Sequence, residues 1–155
     1  MKISIVIPCY NESETINNVY EKVSNFKNLE KEIIIIDDCS TDGSRKIIEK
    51  IAESDPNVKV IFKDKNQGKG SALKEGFKLA EGDLVIIQDA DMEYDPSDYD
   101  KLLKPFFETD ADVVYGSRFI GGEYVRLHFF WHYLANKILT ILTNIITNLN
   151  MTDME

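Results

Sequence analysis

Three carboxylates, each two residues from the next, follow a short apolar run in the middle of the chain. Residues 84–87 form the run, and Asp89, Asp91 and Glu93 come shortly after it. Alternate side chains of an extended chain point to the same face, so these acids converge if the chain stays extended. Carboxylate oxygens suit Mg²⁺ or Mn²⁺, which would relieve the repulsion between them. The pattern predicts a metal site that holds a diphosphate, with a solvated acidic loop as the alternative.

A basic loop rich in glycine precedes this segment. Residues 66–70 read Asn-Gln-Gly-Lys-Gly, directly before a stretch with helical spacing. Glycines expose backbone N–H groups, and Lys69 adds positive charge near the start of the predicted helix. This combination is compatible with binding a phosphate, although the spacing is not that of a Walker A motif. A plain flexible loop is the alternative.

Two further acids, Asp37 and Asp38, close another apolar run. One of them could cap the turn that follows, as Asp commonly does in turns. The other could accept hydrogen bonds from a base N–H or from ribose hydroxyls, as acids at strand ends do for nucleotides. Both roles are open for Asp37, and the ligand role is favoured for Asp38.

The remaining candidates lie near the start of the chain and late in it. Residues 8–12 read Pro-Cys-Tyr-Asn-Glu, where Tyr10 could stack on a base. Glu12 could bond to a ribose or complement the N-terminus of the following helix. Arg118 and Arg126 are suited to an anion, and arginine geometry matches phosphate well. The alternative for both arginines is ordinary solvation.

Composition narrows the classes of protein that need to be considered. The chain has 155 residues, the size of one domain, and is 43% hydrophobic. Its formal net charge of −9 argues against binding a nucleic-acid backbone, but not against one nucleotide held with a divalent cation. Two cysteines form no disulfide framework, which fits a reducing cytoplasm. We expect neither a signal peptide nor a membrane-spanning segment.

Strand-like and helix-like segments alternate, which predicts an α/β fold with a mainly parallel, Rossmann-like sheet flanked by helices. The predicted strands are residues 2–8, 32–36, 58–62, 83–88 and 111–115. The predicted helices are residues 16–26, 44–53, 71–80 and a stretch from residue 96 that Pro105 disturbs. A capping box of Asn11 and Glu14 is expected before the first helix. Ligands of such sheets bind beyond the carboxyl ends of the strands, where the candidate residues fall.

The last part of the chain has a different character. Residues 128–150 carry many apolar and aromatic side chains, which predicts a long amphipathic helix. This helix could pack on the sheet, lie on a membrane surface or contact a partner subunit. We therefore expect an α/β domain over residues 1–127, with residues 128–155 as an apolar helix and C-terminal segment of the same domain.

Five motifs in order make the chain similar to a known family. They read Ile-Pro-Cys-Tyr-Asn-Glu, Ile-Asp-Asp-Cys-Ser-Thr-Asp-Gly-Ser, Asn-Gln-Gly-Lys-Gly, Asp-Ala-Asp-Met-Glu and Gly-Ser-Arg-Phe. Over residues 2–154 the chain resembles glycosyltransferase family 2, and within it the dolichyl- and polyprenyl-phosphate sugar transferases. The resemblance implies a nucleotide-diphospho-sugar transferase (GT-A type) fold. It also implies inverting, metal-assisted transfer of a sugar from a UDP- or GDP-sugar to a polyprenyl phosphate at the cytoplasmic face of a membrane.

The resemblance also implies roles for individual residues. Those that would hold the nucleotide are Pro8, Tyr10, Glu12, Ile36 and Asp38. Those that would hold the metal-bound diphosphate are Asp89, Ala90 and Asp91, while Glu93 sits where relatives often have Gln or Glu. Arg118 and Arg126 would meet phosphate, and relatives continue beyond residue 155, so part of the acceptor site is expected outside this sequence.

The nature of the acceptor decides which residues are catalytic. An acceptor phosphate is already ionised near neutral pH, so Asp91 with its metal and Arg118 would suffice. A saccharide hydroxyl would need a carboxylate base, for which Asp153 is the candidate. A nucleotide-binding module without turnover is a further alternative. A dehydrogenase-type dinucleotide domain is disfavoured, because the first turn lacks the Gly-x-Gly-x-x-Gly pattern.

Overall fold

The computed structural model describes residues 1–27, 29–109, 111–116 and 130–153. It divides the chain into two compact units, Met1–Asp98 and Tyr99–Glu155. The expected α/β domain over residues 1–127, with residues 128–155 as an apolar segment of the same domain, stays a prediction. Each unit is described by itself below.

The first unit alternates strands and helices and ends in a short 3₁₀ turn, Pro96–Asp98. Its strands are β1 (Lys2–Cys9), β2 (Glu30–Asp37), β3 (Val58–Phe62) and β4 (Leu84–Ile87). Its helices are α1 (Ile16–Asn25), α2 (Ser44–Ser54) and α3 (Lys69–Leu79). The second unit contains α4 (Tyr99–Glu108) and α5 (Phe130–Thr147).

The four strands form one parallel sheet in the order β3-β2-β1-β4. In its register, Val6 of β1 lies between Ile34 of β2 and Ile87 of β4. The side chains of Val6 and Ile34 are fully buried, as expected for inner strands covered on both faces. The predicted parallel α/β architecture is confirmed.

Helices cover the sheet because each presents an apolar stripe at helical spacing. In α1 the buried residues are Ile16, Val19 and Val23, and in α2 they include Ile48 and Ile51. Helix α3 buries only small residues, Ala72 and Gly76. A side chain at Gly76 would collide with Val6, so α3 approaches β1 very closely.

The start of α1 differs from the prediction. Its N-cap residue is Thr15, whose hydroxyl donates a 2.7 Å hydrogen bond to Oε2 of Glu12. The predicted capping box of Asn11 and Glu14 is wrong, because Asn11 adopts a left-handed conformation (φ 57°) before the helix begins. The Asn11 side-chain oxygen instead accepts a 2.8 Å hydrogen bond from the Thr41 N–H. Asn11 thus stabilises the turn after β2.

The fifth predicted strand is also wrong. Residues 111–115 form no strand, and the side chains of Val113 and Tyr115 are 67% and 66% exposed. The apolar residues of this segment resemble those of a buried strand. Strand propensity, however, reflects packing on a half-buried surface, and exposed side chains lack that stabilisation.

In the second unit, α5 ends at Thr147 and not at the predicted residue 150, while its predicted start at residue 128 lies outside the described residues. The chain after α5 folds back on it: Asn144 donates to the Met151 carbonyl at 2.8 Å and accepts from the Met151 N–H at 2.9 Å. In the part of the chain that the structure covers, no helix has both the length and the apolar character needed to cross a membrane.

Candidate functional site

One cavity of about 400 Å³ lies at the carboxyl ends of the strands, where a parallel sheet is expected to bind its ligand. Segments that follow all four strands contribute to it. Its lining residues are Pro8, Cys9, Tyr10, Glu12, Asp38, Asn66, Gly68, Lys69, Ala72, Asp89, Ala90 and Asp91. Most of the residues that the sequence analysis selected are therefore brought together.

The segment after β1 is held by its backbone against the turn after β2. The Asn11 N–H donates to Ser40 Oγ at 3.0 Å, and the Glu12 N–H donates to Ser44 Oγ at 2.8 Å. Tyr10 lines the cavity with its side chain 47% exposed, as stacking on a base requires. The Glu12 carboxylate accepts a hydrogen bond from Thr15 at the start of α1 while also lining the cavity.

Asp37 is fully buried and has a structural role. Its Oδ1 accepts a 3.2 Å hydrogen bond from the Ser40 N–H, which caps the turn after β2. Its Oδ2 accepts a 3.0 Å hydrogen bond from Nε of Arg45, whose guanidinium lies over the ring of Phe62. Of the two roles left open for Asp37, the structure shows the capping role.

Asp38 lines the cavity, but its carboxylate already binds the glycine loop. Lys63 Nζ lies 2.5 Å from Oδ1, and the Gly68 N–H donates to Oδ2 at 2.7 Å. The Gln67 N–H contacts both oxygens at 3.1 Å. Burial alone would raise the pKa of Asp38, but the Lys63 ammonium and these N–H groups outweigh it and lower the pKa. Asp38 is thus an ionised anchor of the loop, and its contact with a nucleotide stays a prediction.

Sequence reasoning missed Lys63, the cation of this anchor. Its side chain is only 8% exposed and also donates a 3.0 Å hydrogen bond to Ser71 Oγ at the start of α3. One signal was present, because a lysine immediately after an apolar strand is seldom buried unless it is paired.

The glycine loop leads directly into α3. Gly68, the N-cap residue, has a φ of 84°, a conformation that favours glycine. Lys69, the first helical residue, places Nζ 2.7 Å from Oδ1 and 2.8 Å from Oδ2 of Asp89. The predicted phosphate-binding lysine therefore points into the cavity and forms an ion pair with one of the predicted metal ligands.

The acids after β4 do not converge in the way that an extended chain would require. The chain turns, with Met92 at a φ of 66°, and the Glu93 N–H donates to Asp91 Oδ1 at 2.9 Å. Buried Gln88 stabilises the turn by donating to the carbonyls of Asp89 and Tyr94, both at 3.0 Å. The expectation of three converging carboxylates is wrong.

The described residues hold no group of three or more His, Cys, Asp or Glu side chains that could bind a metal by themselves. Asp89 and Asp91 do line the cavity, whereas Glu93 is not among the residues that line it. Two carboxylates are the usual protein contribution to a Mg²⁺-type site that substrate phosphates complete. The donor set fits a hard divalent cation bound together with a diphosphate.

Several predicted residues lie elsewhere. Ile36 is fully buried in the core with Val6, Ile34 and Ala72, so its side chain packs between sheet and helix and does not line the cavity. Arg118 and Arg126 lie outside the described residues. The predicted nucleotide contact of Ile36 is not supported by this placement.

Asp153, the candidate base, belongs to the second unit. It is 3% exposed, and its Oδ1 accepts a 2.9 Å hydrogen bond from Asn136 Nδ2. Asn136 in turn accepts a 2.9 Å hydrogen bond from the Thr140 hydroxyl. This buried polar network fixes the C-terminal segment on α5.

Fold and site together define a parallel α/β protein whose ligand-binding edge carries four carboxylates, among them Asp89 and Asp91, with a glycine loop and an exposed tyrosine. The family model "Glycosyl transferase family 2" matches residues 4–153, and the chain belongs to this family. The predicted family and fold are confirmed.

Two curated relatives are similar to the chain over most of its length. The chain is 34% identical over 138 residues to a dolichol-phosphate mannosyltransferase of Pyrococcus furiosus, covering 88% of this chain and 39% of the relative. It is 39% identical over 147 residues to the bactoprenol glucosyl transferase of Shigella phage SfV, covering 90% of this chain and 48% of the relative. The chain thus spans less than half the length of each of these relatives.

A solved structure supports the fold assignment. The mannosyltransferase PcManGT of Pyrobaculum calidifontis, solved in complex with GDP-Man and Mn²⁺, superposes with a TM-score of 0.53 at 27% sequence identity. The match covers 57% of this chain and 27% of the other.

Proposed function

We propose that the cavity binds a nucleotide-diphospho-sugar together with a divalent cation, and that the protein transfers the sugar, with inversion, to a polyprenyl phosphate. One observation carries the proposal: Asp89 and Asp91, the start of α3 and the exposed ring of Tyr10 surround a single cavity. Its volume of about 400 Å³ suits a small-molecule ligand, for which roughly 300–1,000 Å³ is typical.

Each part of the cavity supplies a different interaction with the donor. Tyr10 offers a face on which a base can stack, and the start of α3 offers N–H groups and a favourable dipole for phosphate. Asp89 and Asp91 hold the cation, Mg²⁺ or Mn²⁺. A bound divalent cation neutralises the negative charge that develops on the departing diphosphate. PcManGT, solved with GDP-Man and Mn²⁺, supports this choice of ligands.

The names of the two curated relatives support a polyprenyl phosphate as the acceptor. Its phosphate oxygen is ionised near neutral pH and needs no general base. The structure gives Asp153 a buried hydrogen bond to Asn136, which suits a structural role better than proton transfer. Because transfer to a saccharide hydroxyl would need Asp153 as a base, such a hydroxyl is only the second candidate for the acceptor. Arg118 and Arg126 are the proposed contacts of the acceptor phosphate.

A lipid acceptor places the reaction at a membrane surface, which we propose to be the cytoplasmic face. Helix α5 exposes apolar side chains suited to such a surface, among them Trp131, Ile145 and Ile146 at 73%, 73% and 82%. Co-sedimentation with vesicles that contain polyprenyl phosphate checks this part of the proposal, and no association above that of empty vesicles would contradict it.

Calorimetry with GDP- and UDP-sugars, in the presence of Mn²⁺ or Mg²⁺, tests the donor site. The double variant Asp89→Asn/Asp91→Asn keeps side-chain size but removes the charges that would bind the cation. We expect it to weaken metal-dependent binding at least about tenfold, the cost of losing a charge-assisted contact.

A matched control is Glu49→Gln/Glu53→Gln, which removes the same charge from exposed positions of α2. It should bind the donor as the unmodified protein does. Undiminished metal-dependent binding by the Asp89/Asp91 variant would contradict the assignment of the site.

A further inference from the structure

The ion pair between Lys69 and Asp89 is a feature of the cavity that donor binding alone does not explain. Lys69 Nζ lies 2.7 Å from Oδ1 and 2.8 Å from Oδ2, so one ammonium group contacts both oxygens of the carboxylate. The proposed function gives that same carboxylate to a divalent cation. Two positive groups on one carboxylate repel each other, so a cation that enters the cavity alone competes with Lys69.

The position of Lys69 in α3 offers its ammonium a second anionic partner. Lys69 is the first residue of the helix, and the first turn contains no acidic residue. A positive charge there is repelled by the positive end of the helix dipole. A phosphate bound at the same end is attracted by both the Lys69 ammonium and the helix dipole. Its side chain is 57% exposed, so the flexible stem can reorient without disturbing the core.

We propose that Lys69 exchanges partners when the donor binds. Before the donor binds, the Lys69 ammonium neutralises Asp89; when a nucleoside diphosphate enters, the ammonium moves to a phosphate oxygen and releases Asp89 to the divalent cation. This inference rests on the proposed function and adds an energetic coupling between nucleotide binding and metal binding. Nucleotide and metal then bind cooperatively, and the metal alone binds weakly.

Binding of Mn²⁺ alone, followed through the electron paramagnetic resonance signal of the free ion, tests the first half of the exchange. Lys69→Met should bind Mn²⁺ about threefold more tightly than the unmodified protein, the size expected when an exposed ion pair no longer competes. Lys65→Met is the matched control, because Lys65 is an exposed lysine that directly precedes the glycine loop and does not line the cavity. It should leave Mn²⁺ affinity unchanged.

Repeating the titration with UDP or GDP tests the second half. In the unmodified protein the nucleotide should tighten Mn²⁺ binding at least about fivefold beyond the complex that the two form in buffer. Lys69→Met should lose most of this gain. Lys69→Gln, which keeps a polar side chain without the charge, should behave like Lys69→Met, and circular dichroism confirms that both variants are folded.

The outcomes separate the exchange from the proposed function. If Asp89→Asn weakens Mn²⁺ binding but Lys69→Met does not tighten it, the exchange is wrong and the metal site stands. If Lys69→Met tightens Mn²⁺ binding while the gain from the nucleotide is unchanged, the ammonium does not move to phosphate and the exchange is also wrong. If the unmodified protein binds neither Mn²⁺ nor nucleotide, the proposed function fails and the exchange with it.

Discussion

Two carboxylates that line the cavity, Asp38 and Asp89, are already bound to lysines of the chain. Lys63, 8% exposed, contacts Asp38 at 2.5 Å and Ser71 at 3.0 Å, and Asp38 holds the N–H groups of Gln67 and Gly68. This buried ion pair sets the position of the glycine loop at the cavity. A buried pair is costly to break, because removing one partner leaves the other charge without compensation.

Lys63→Met should therefore lower the free energy of unfolding by about 3–5 kcal/mol, the range for breaking a buried pair. Urea denaturation followed by circular dichroism measures this change. Lys65→Met, at the exposed position that directly precedes the glycine loop, should stay within about 0.5 kcal/mol of the unmodified protein. Equal stability of the two variants would show that the pair does not anchor the loop.

At this scale the sequence predicted which residues meet, but not how they pair. Tyr10, Asp38, Lys69, Asp89 and Asp91 all line the cavity, because parallel topology brings the ends of the strands to one edge. The ion pairs of Asp38 and Asp89 depend on loop conformations and rotamers that residue types do not specify. The turn after β4 depends on buried Gln88, whose hydrogen bonds to main-chain carbonyls have no signature in the sequence.

At the scale of elements, the close approach of α3 to β1 depends on a glycine. A Cβ atom at Gly76 would collide with the side chain of buried Val6, whereas one at Gly70 would meet nothing within 4 Å. Both glycines belong to α3, where alanine is the better helix former. Only Gly76 carries a packing constraint.

Gly76→Ala should lower the free energy of unfolding by about 1–3 kcal/mol, because the added methyl group overpacks the contact with β1. Gly70→Ala should raise it by about 0.5–1 kcal/mol, since alanine restricts the unfolded chain without meeting an obstacle. Guanidinium denaturation of both variants gives the comparison. A Gly76→Ala variant as stable as Gly70→Ala would mean that α3 can move away from the sheet at little cost.

The spacing of apolar residues in the sequence predicted the strands and helices that pack on one another. It wrongly predicted a strand in a segment whose side chains are not packed in this way. The strands β1 to β4 and helices α1 to α3 lie within a few residues of their predicted positions, because buried apolar runs and helical stripes are strong signals. Residues 111–115 carry the same signal but form no strand, and Val113 and Tyr115 stay exposed. Burial is a tertiary property, so a short apolar run alone cannot reveal it.

At the scale of the whole first unit, a second polar cluster binds the amino ends of the strands together. Glu32 of β2, 5% exposed at its side chain, lies 2.9 Å from Lys59 of β3 and 3.2 Å from Lys2 of β1. Its Oε1 accepts hydrogen bonds from the Ser4 hydroxyl at 2.6 Å and from the Glu81 N–H, just before β4, at 2.7 Å. One carboxylate thus connects all four strands at the end of the sheet opposite the cavity.

Glu32 should make stability depend on pH in the acidic range. Burial alone would raise its pKa, but the contacts with Ser4, Lys59, the Glu81 N–H and Lys2 outweigh burial and lower the pKa from 4.5 to about 2. The unfolded chain then takes up the proton first as pH falls. The contribution of the ionised Glu32 carboxylate to the free energy of unfolding is complete above pH 4.5 and is lost as pH falls towards about 2.

Urea denaturation at several pH values between neutrality and pH 2 measures this dependence. Glu32→Gln should be less stable than the unmodified protein at neutral pH, and the difference should shrink as pH falls, because both proteins then carry an uncharged group at this position. Glu30→Gln, at the exposed start of the same strand, should keep the pH dependence of the unmodified protein. A difference between Glu32→Gln and the unmodified protein that stays constant with pH would show that Glu32 acts by packing and not through its charge.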